Sequence, residues 1–283
     1  MSATSQKLRD DAERIWRAGV AAVIPSRLVP NHVRVDGHWL AVGDERIDLQ
    51  SVNRIAIVGA GKAAGAMTVA LEATLGGRVL DEQRVSGWVN VPSDCVVPTQ
   101  RVHLNAARPP GSNEPAPEGV VGAQRILEIV SSLRPNDICF CVLTGGGSAL
   151  LPAPVPQITL ADKIAVTRLL SAAGANIVQL NTVRRQLSLV KGGGLARACR
   201  AGRLITLVIS DVLGDRLDLI ASGPTVPNES TPADALRVLD DLKLTSEPSI
   251  ATVVHYLRHR DIQPAADSER HTSSVATHII LAN

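Results

Sequence analysis

The chain has 283 residues, 45% hydrophobic and 20% charged, the balance of a soluble protein with a sizeable core. Lysine and arginine total 29 against 27 acidic residues, a net charge of +2, and only 2% of the residues are aromatic. Nucleic acid is thereby excluded as the main ligand, because neither a basic block for phosphates nor rings for base stacking are supplied. No apolar run reaches the length of a membrane span, and the segment up to Arg14 is charged, unlike a signal peptide, so a cytoplasmic protein is expected. Cys95, Cys139, Cys141 and Cys199 form no C-x-x-C pair and read as buried thiols of a reducing compartment.

Residues 5–24 carry Leu8, Ala12, Ile15, Trp16, Val20 and Val23 at helical spacing, with Pro25 as the stop. Residues 32–42 alternate around Asp36-Gly37, which predicts a hairpin. Residues 54–58 form a short strand running into Gly59-Ala60-Gly61-Lys62-Ala63-Ala64-Gly65, and an alanine-rich helix follows to about Leu75. A strand over 85–91, a loop over 106–117 and a helix over 119–133 come next. The apolar strand 138–143 ends in Thr144-Gly145-Gly146-Gly147-Ser148. After Pro152, Pro154 and Pro156, Thr159 and Asp162 cap a helix to about Ala173, with Gly174 its stop. Residues 204–209 are a strand leading into Ser210-Asp211-Val212-Leu213-Gly214-Asp215. Thr231-Pro232 and Ser246-Glu247-Pro248 each open a helix, 261–274 is polar and loose, and 277–283 is a final strand. This alternation predicts an α/β fold, a Rossmann-like three-layer α/β/α sandwich with mainly parallel sheet. Ending on an apolar strand, the chain is expected to be truncated.

Three consecutive glycines after a buried strand remove every Cβ, so backbone N–H groups can converge on an anion, and Ser148 adds a hydroxyl donor. Such a turn stands where open α/β sheets hold ligands; without a ligand it is a flexible glycine loop. A hydrolase nucleophile elbow is not matched, since Leu150 stands where glycine is needed. Gly59-Ala60-Gly61-Lys62 admits three readings. As a dinucleotide fingerprint it has Gly59 and Gly61, with Ala64 in the third position. As a Walker loop it fails, with Ala56 at the first glycine and Ala63 where a hydroxyl would hold Mg²⁺. In the third, Lys62 is a cation in the first turn of a helix, which calls for an anionic ligand unless the lysine is simply exposed.

Residues 181–194 gather Arg184, Arg185 and Lys191 with a second glycine triplet that opens a helix; arginine suits planar carboxylates and phosphates. Asp211 and Asp215 put two carboxylates after a strand, suited to metal ligation and proton transfer, or to turn and cap duty. Ser222-Gly223-Pro224-Thr225 continues that polar rim, while His255 and His259 read as a shared helix surface.

In order along the chain, Gly61-Lys62-Ala63-Ala64 and residues 144–150, 181–188, 191–196, 210–215 and 220–225 resemble the glycerate 2-kinase family over essentially the whole length. The resemblance implies ATP-dependent phosphorylation of D-glycerate to 2-phosphoglycerate with Mg²⁺ or another divalent cation. It also implies an N-terminal α/β/α domain followed by a smaller C-terminal domain, with the active site between them. On that basis residues 1–283 are the N-terminal domain, carrying an N-terminal helix and a small hairpin, and the C-terminal domain is missing. Lys62 matches the lysine that neutralises the transferring phosphoryl group. Asp211 matches an aspartate with base or metal duty, and Asp215 is a second metal ligand. Gly61, Gly145, Gly146, Gly147, Ser148, Asn181, Arg184, Lys191, Gly192 and Ser222 would hold phosphate or the glycerate carboxylate. The partners are then glycerate and a nucleotide, with a homodimer left open. One departure bears on substrate choice: within 107–114, Arg108 replaces the histidine of the family's G-H-P-x-P-D-E-like loop, and the aspartate is not evident. Two rivals stay open, an NAD(P)-dependent hydroxypyruvate reductase built on Gly59-x-Gly61 and a non-catalytic nucleotide- or phosphate-binding module.

Overall fold

A computed structural model describes residues 3–260 and 275–282, so the polar stretch 261–274 lies outside the described residues. The amphipathic spacing at the amino terminus gives α1 (Ala3–Ala22). Pro25 does more than stop it, because proline at a first helical position also starts α2 (Pro25–His32). The hairpin is present as β1 (Val33–Asp36) and β2 (Trp39–Val42). Asp36 pairs with Trp39, however, so Gly37 and His38 make the turn. A further strand, β3 (Glu45–Asp48), completes a small antiparallel sheet.

The main sheet contains β4 (Arg54–Ala60), β5 (Ser86–Pro92), β6 (Val102–Arg108), β7 (Asp137–Thr144), β8 (Arg203–Ile209) and β9 (Val275–Ala282). Its order is β6-β5-β4-β7-β8-β9, with every neighbouring pair parallel. Part of β6 falls in the stretch expected to be a loop; this edge strand is held by pairing with β5 alone rather than by a strong apolar pattern. The helices are α3 (Ala64–Glu82), α4 (Pro117–Ser132), α5 (Gly147–Leu150), α6 (Leu160–Ala172), α7 (Ile177–Gln186), α8 (Gly194–Ala198), α9 (Pro232–Asp241) and α10 (Ala251–Arg260). None of these described helices is long and apolar enough to cross a membrane. The break expected near Leu75 is real: Gly76, at φ 75°, interrupts α3, but a second segment carries it on to Glu82.

β7 is buried at every position, a pattern that requires cover on both faces of the sheet. On one face α2, α3 and the small sheet pack around Ile57, Met67, Leu71 and Phe140. On the other, α4 and α8 pack around Val58, Ile126, Cys139 and Cys141. Cys139, Cys141 and Cys199 are buried as expected, whereas Cys95 is only half-buried. A third core, which simple alternation of strands and helices does not foretell, joins α6, α7, α9 and α10 through Val166, Leu170, Val183, Leu239 and Leu257. Reciprocal capping boxes start α6 at Thr159/Asp162 and α9 at Thr231/Asp234. Glu247, by contrast, makes no side-chain cap to the short turn that precedes α10.

β4 and β7 lie side by side, and the chain winds outward from them in opposite directions. Their carboxyl ends therefore open a crevice, the usual ligand position of such sheets. The amino end of the edge strand β6, at the far end of the sheet from this crevice, is pinned by Glu72 of α3, whose buried carboxylate accepts the amides of Gln100 (2.7 Å), Arg101 (2.7 Å) and Val102 (2.9 Å). Glu72→Ala is expected to lower the unfolding free energy by about 3 kcal/mol, because three amides lose a charged acceptor. Urea denaturation measures this, and a loss under about 1 kcal/mol would contradict the role.

Candidate active site

At the tip of β4, Gly61 has φ 149°, and a Cβ there would stand 2.0 Å from Thr144 Oγ1. Only glycine lets the ends of β4 and β7 approach this closely. The Gly61 amide donates to Asn90 O at 3.2 Å and the Lys62 amide to Gly145 O at 3.0 Å. The Ala63 amide donates to Thr144 Oγ1 at 3.1 Å. These donors are thus used within the fold. Gly61 is a packing residue and not the phosphate ligand expected of it, and the amides a dinucleotide fingerprint would offer to pyrophosphate are occupied. Lys62 precedes α3 rather than lying in its first turn, and its side chain is exposed.

The turn after β7 behaves differently. The amides of Gly145, Gly146 and Gly147 have no hydrogen-bond partner among the described residues. A Cβ on Gly145 would stand 2.2 Å from Asp211 Oδ2. One on Gly146, at φ 81°, would stand 3.2 Å from Arg108 Nη2 and 3.6 Å from Lys62 Cε. The bare turn is therefore flanked by a carboxylate on one side and by two cationic side chains on the other.

Ser148 closes the turn. Its Oγ accepts from Arg184 Nη2 at 2.5 Å and Lys191 Nζ at 2.8 Å, and Lys191 also donates to Ser148 O at 2.8 Å. Ser222 Oγ lies 2.9 Å from Ser148 Oγ and donates to Asn181 Oδ1 at 2.8 Å. With the Ser222 proton so committed, the Ser148 proton points to Ser222. The Ser148 hydroxyl is consequently an acceptor for two cations and not the expected donor to a ligand. Ser222 and Asn181, 0% and 1% exposed, stand behind the wall and brace Ser148.

The second glycine triplet also departs from expectation. Gly192 donates its amide to Ser222 O at 3.0 Å, Gly193 to Gly223 O at 2.7 Å and Gly194 to Lys191 O at 3.1 Å. Gly192 therefore braces the 221–223 turn and has no free amide for phosphate. Arg185 is turned to Asp218, through its carbonyl and carboxylate, in a half-buried ion pair.

Three hollows meet around the turn, all bordered by Asn113. One, of about 330 Å³, is walled by Ser148, Arg184, Lys191 and Lys163. The second runs along residues 145–148 to Asp211. The third, of about 170 Å³, holds Lys62, Arg108 and Asp94. Lys62 and Asp211 line adjoining hollows separated by the glycine turn. Lys163 escaped the sequence reading, although a signal exists: it falls on the same stripe of α6 as buried Val166 and Leu170. Its Nζ donates to Leu187 O at 3.0 Å. Burial pushes the Arg184 guanidinium and the Lys191 ammonium down from their ordinary ranges.

Arg108 is 3% exposed and donates from Nη1 to Asn113 Oδ1 at 3.3 Å. Its buried Nε has no partner among the described residues. A guanidinium so placed beside the turn suits a small carboxylate. Arg108→Ala is expected to weaken binding of a small hydroxy-acid anion at least tenfold, because the carboxylate loses its charged partner. Calorimetric titration measures this, and an unchanged affinity would reject the assignment.

Asp211 is exposed and Asp215 half-buried. Among the described residues no group of three or more His, Cys, Asp or Glu could hold a metal ion. A Mg²⁺ ion, where one binds, needs only one or two protein carboxylates and completes its shell with water and substrate phosphates. Asp211 Oδ2 lies against the side of the turn where a Gly145 Cβ would point.

Residues 11–257 match a family model described as Domain of unknown function (DUF4147). The glycerate kinase of Danio rerio is 38% identical over 250 residues, covering 84% of this chain and 48% of that protein. The glycerate kinase of Homo sapiens is 32% identical over 293 residues, covering 98% of this chain and 53% of that protein. The chain belongs to the glycerate 2-kinase family. The crystal structure of a glycerate kinase from Thermotoga maritima shares its fold with a TM-score of 0.71 at 28% identity, covering 98% of this chain and 59% of that one. This glycerate 2-kinase family chain spans about half the length of the curated relatives it matches.

Proposed function

We propose that this glycerate 2-kinase family chain takes part in ATP-dependent phosphorylation of D-glycerate to 2-phosphoglycerate. The observation that carries the reading is the bare turn of Gly145, Gly146 and Gly147 at the switch point of the sheet, with Asp211 against one side and Lys62 and Arg108 against the other. Phosphoryl transfer is catalysed mainly by positioning and by neutralising charge on the transferred group, and these are the parts it needs. The amides of the turn hold phosphate oxygens, and Lys62 neutralises the charge that spreads over them. The 2-hydroxyl oxygen of glycerate forms its bond to the terminal phosphorus as the bond to the ADP oxygen breaks, and the hydroxyl proton passes to the Asp211 carboxylate. Arg108 holds the glycerate carboxylate. Asp211 and Asp215 would hold a Mg²⁺ ion, which when bound neutralises phosphate charge.

The relatives are about twice as long, and we infer that this chain is the α/β domain and that their remaining half closes the opposite side of the cleft. The test is phosphorus NMR of the product formed from ATP and D-glycerate, by the chain alone and with the second half of a relative supplied. A phosphomonoester on the 2-oxygen is expected. Transfer to the 3-oxygen, or no glycerate-dependent ADP in either case, would reject the reading.

A further inference from the structure

We propose that the cavity walled by Lys163, Arg184 and Lys191 is a phosphate pocket, taking a phosphate-bearing group and not the carboxylate of glycerate, with Lys163 as its third binding cation. The inference rests on the phosphotransferase reading only for the source of that group, a nucleotide or a phosphorylated three-carbon acid.

The three cations come from separate pieces of chain, Lys163 from α6, Arg184 from α7 and Lys191 from the turn after it, and all face one space of about 330 Å³. Lys163 is 7% exposed and Lys191 2%. Their hydrogen-bond partners are neutral: Leu187 O for Lys163, Ser148 for Arg184, and Ser148 with Ala221 O for Lys191. The acid on the cavity wall, Glu114, is already held by Arg168 through both oxygens, at 2.6 and 2.7 Å. Three basic side chains turned to one cavity, with no carboxylate partner among the described residues, suit an anion from outside that would hold all three charged. Glycerate brings one negative charge, whereas a terminal phosphate brings about two and presents three acceptor oxygens, one for each cation. Pro152, Ile164 and Leu187 give the remaining wall an apolar lining for the body of such a ligand.

The cavity also sets the protonation of Lys163. The charged groups that wall it with Lys163 are Arg168 on the same helix, Arg184 on α7, Lys191 beyond it and Glu114 from the loop before α4; α10, packed on α6, adds none. Burial first, and Arg184 second, push the Lys163 ammonium down from its ordinary value to about 7. A bound phosphate reverses that balance and favours the ammonium, so binding at pH 8 draws about one proton onto Lys163. In the free protein the sign is fixed as well. Because the unfolded chain holds the Lys163 proton up to its ordinary range and the folded chain releases it above about 7, Lys163 makes stability rise with pH between those limits.

Calorimetric titration of the protein with ATP, with 2-phosphoglycerate and with D-glycerate, in buffers of different ionisation enthalpy at pH 8, tests the pocket without requiring turnover. ATP, 2-phosphoglycerate or both are expected to bind with proton uptake, and whichever does so identifies the source. Lys163→Met should weaken that binding at least tenfold and take up about one proton fewer, while flattening the rise of melting temperature above pH 7. Lys163→Arg should keep the affinity within about threefold and still lose the proton, since arginine does not titrate here. Unchanged affinity and proton count in Lys163→Met, or displacement of the phosphate ligand by D-glycerate, would overturn the proposal. A chain that binds phosphate in this way yet never phosphorylates glycerate would sink only the functional reading.

Discussion

Replacing Lys62 with alanine is expected to lower kcat/KM for D-glycerate phosphorylation about a thousandfold, roughly 4 kcal/mol of transition-state stabilisation. The Lys62 amide is tied to Gly145 O, so the backbone that shapes the turn does not depend on the side chain. Folding should therefore survive, and the loss should fall on turnover. The Lys62 Cε stands beside Gly146, on the flank of the turn opposite Asp211. From there the ammonium can reach a phosphoryl group lying on the amides while the carboxylate approaches from the other side. Lys62→Arg keeps the charge and should recover part of the rate. Steady-state kinetics under conditions where the parent turns over provide the measure, and near-normal phosphorylation by the alanine variant would remove Lys62 from the mechanism.

Asp211→Asn should reduce kcat by about two to three orders of magnitude, the usual contribution of a positioned general base. A second substitution makes the test sharper. Gly145→Ala would place a methyl group 2.2 Å from the present position of Asp211 Oδ2, so the carboxylate must leave its place over the turn. If the Asp211 carboxylate works from that position, Gly145→Ala and Asp211→Asn combined should be little worse than Asp211→Asn alone. Effects that multiply would show that Gly145 serves some other purpose and that Asp211 is not the group it accommodates.

The nature of the turn explains why two glycine triplets of similar appearance differ in use. Residues 145–147 follow a buried strand into an open crevice, and their amides face no acceptor among the described residues. Residues 192–194 lie against 221–223, whose carbonyls take two of their amides. Both triplets are equally conspicuous in the sequence. Which one retains donors for a ligand depends on what packs against it, and that information is absent from either segment.

Local patterns alone determined a good part of this protein. The apolar run of β7, the Thr159 and Thr231 capping boxes and the alternation of strands with helices follow from short-range hydrogen bonding and periodic burial, which neighbouring residues specify. The ordered motifs also determined the family, because spacing and residue type survive in the chain whatever packs around them. Only the tertiary structure decided that Gly61 packs, that Ser148 accepts from two cations, that Asn181 and Ser222 stand behind it, and that Lys163 joins Arg184 and Lys191 in one cavity. Those outcomes hang on contacts between segments far apart in the chain, where a hydrogen-bond donor is free or spent according to what the fold sets opposite it.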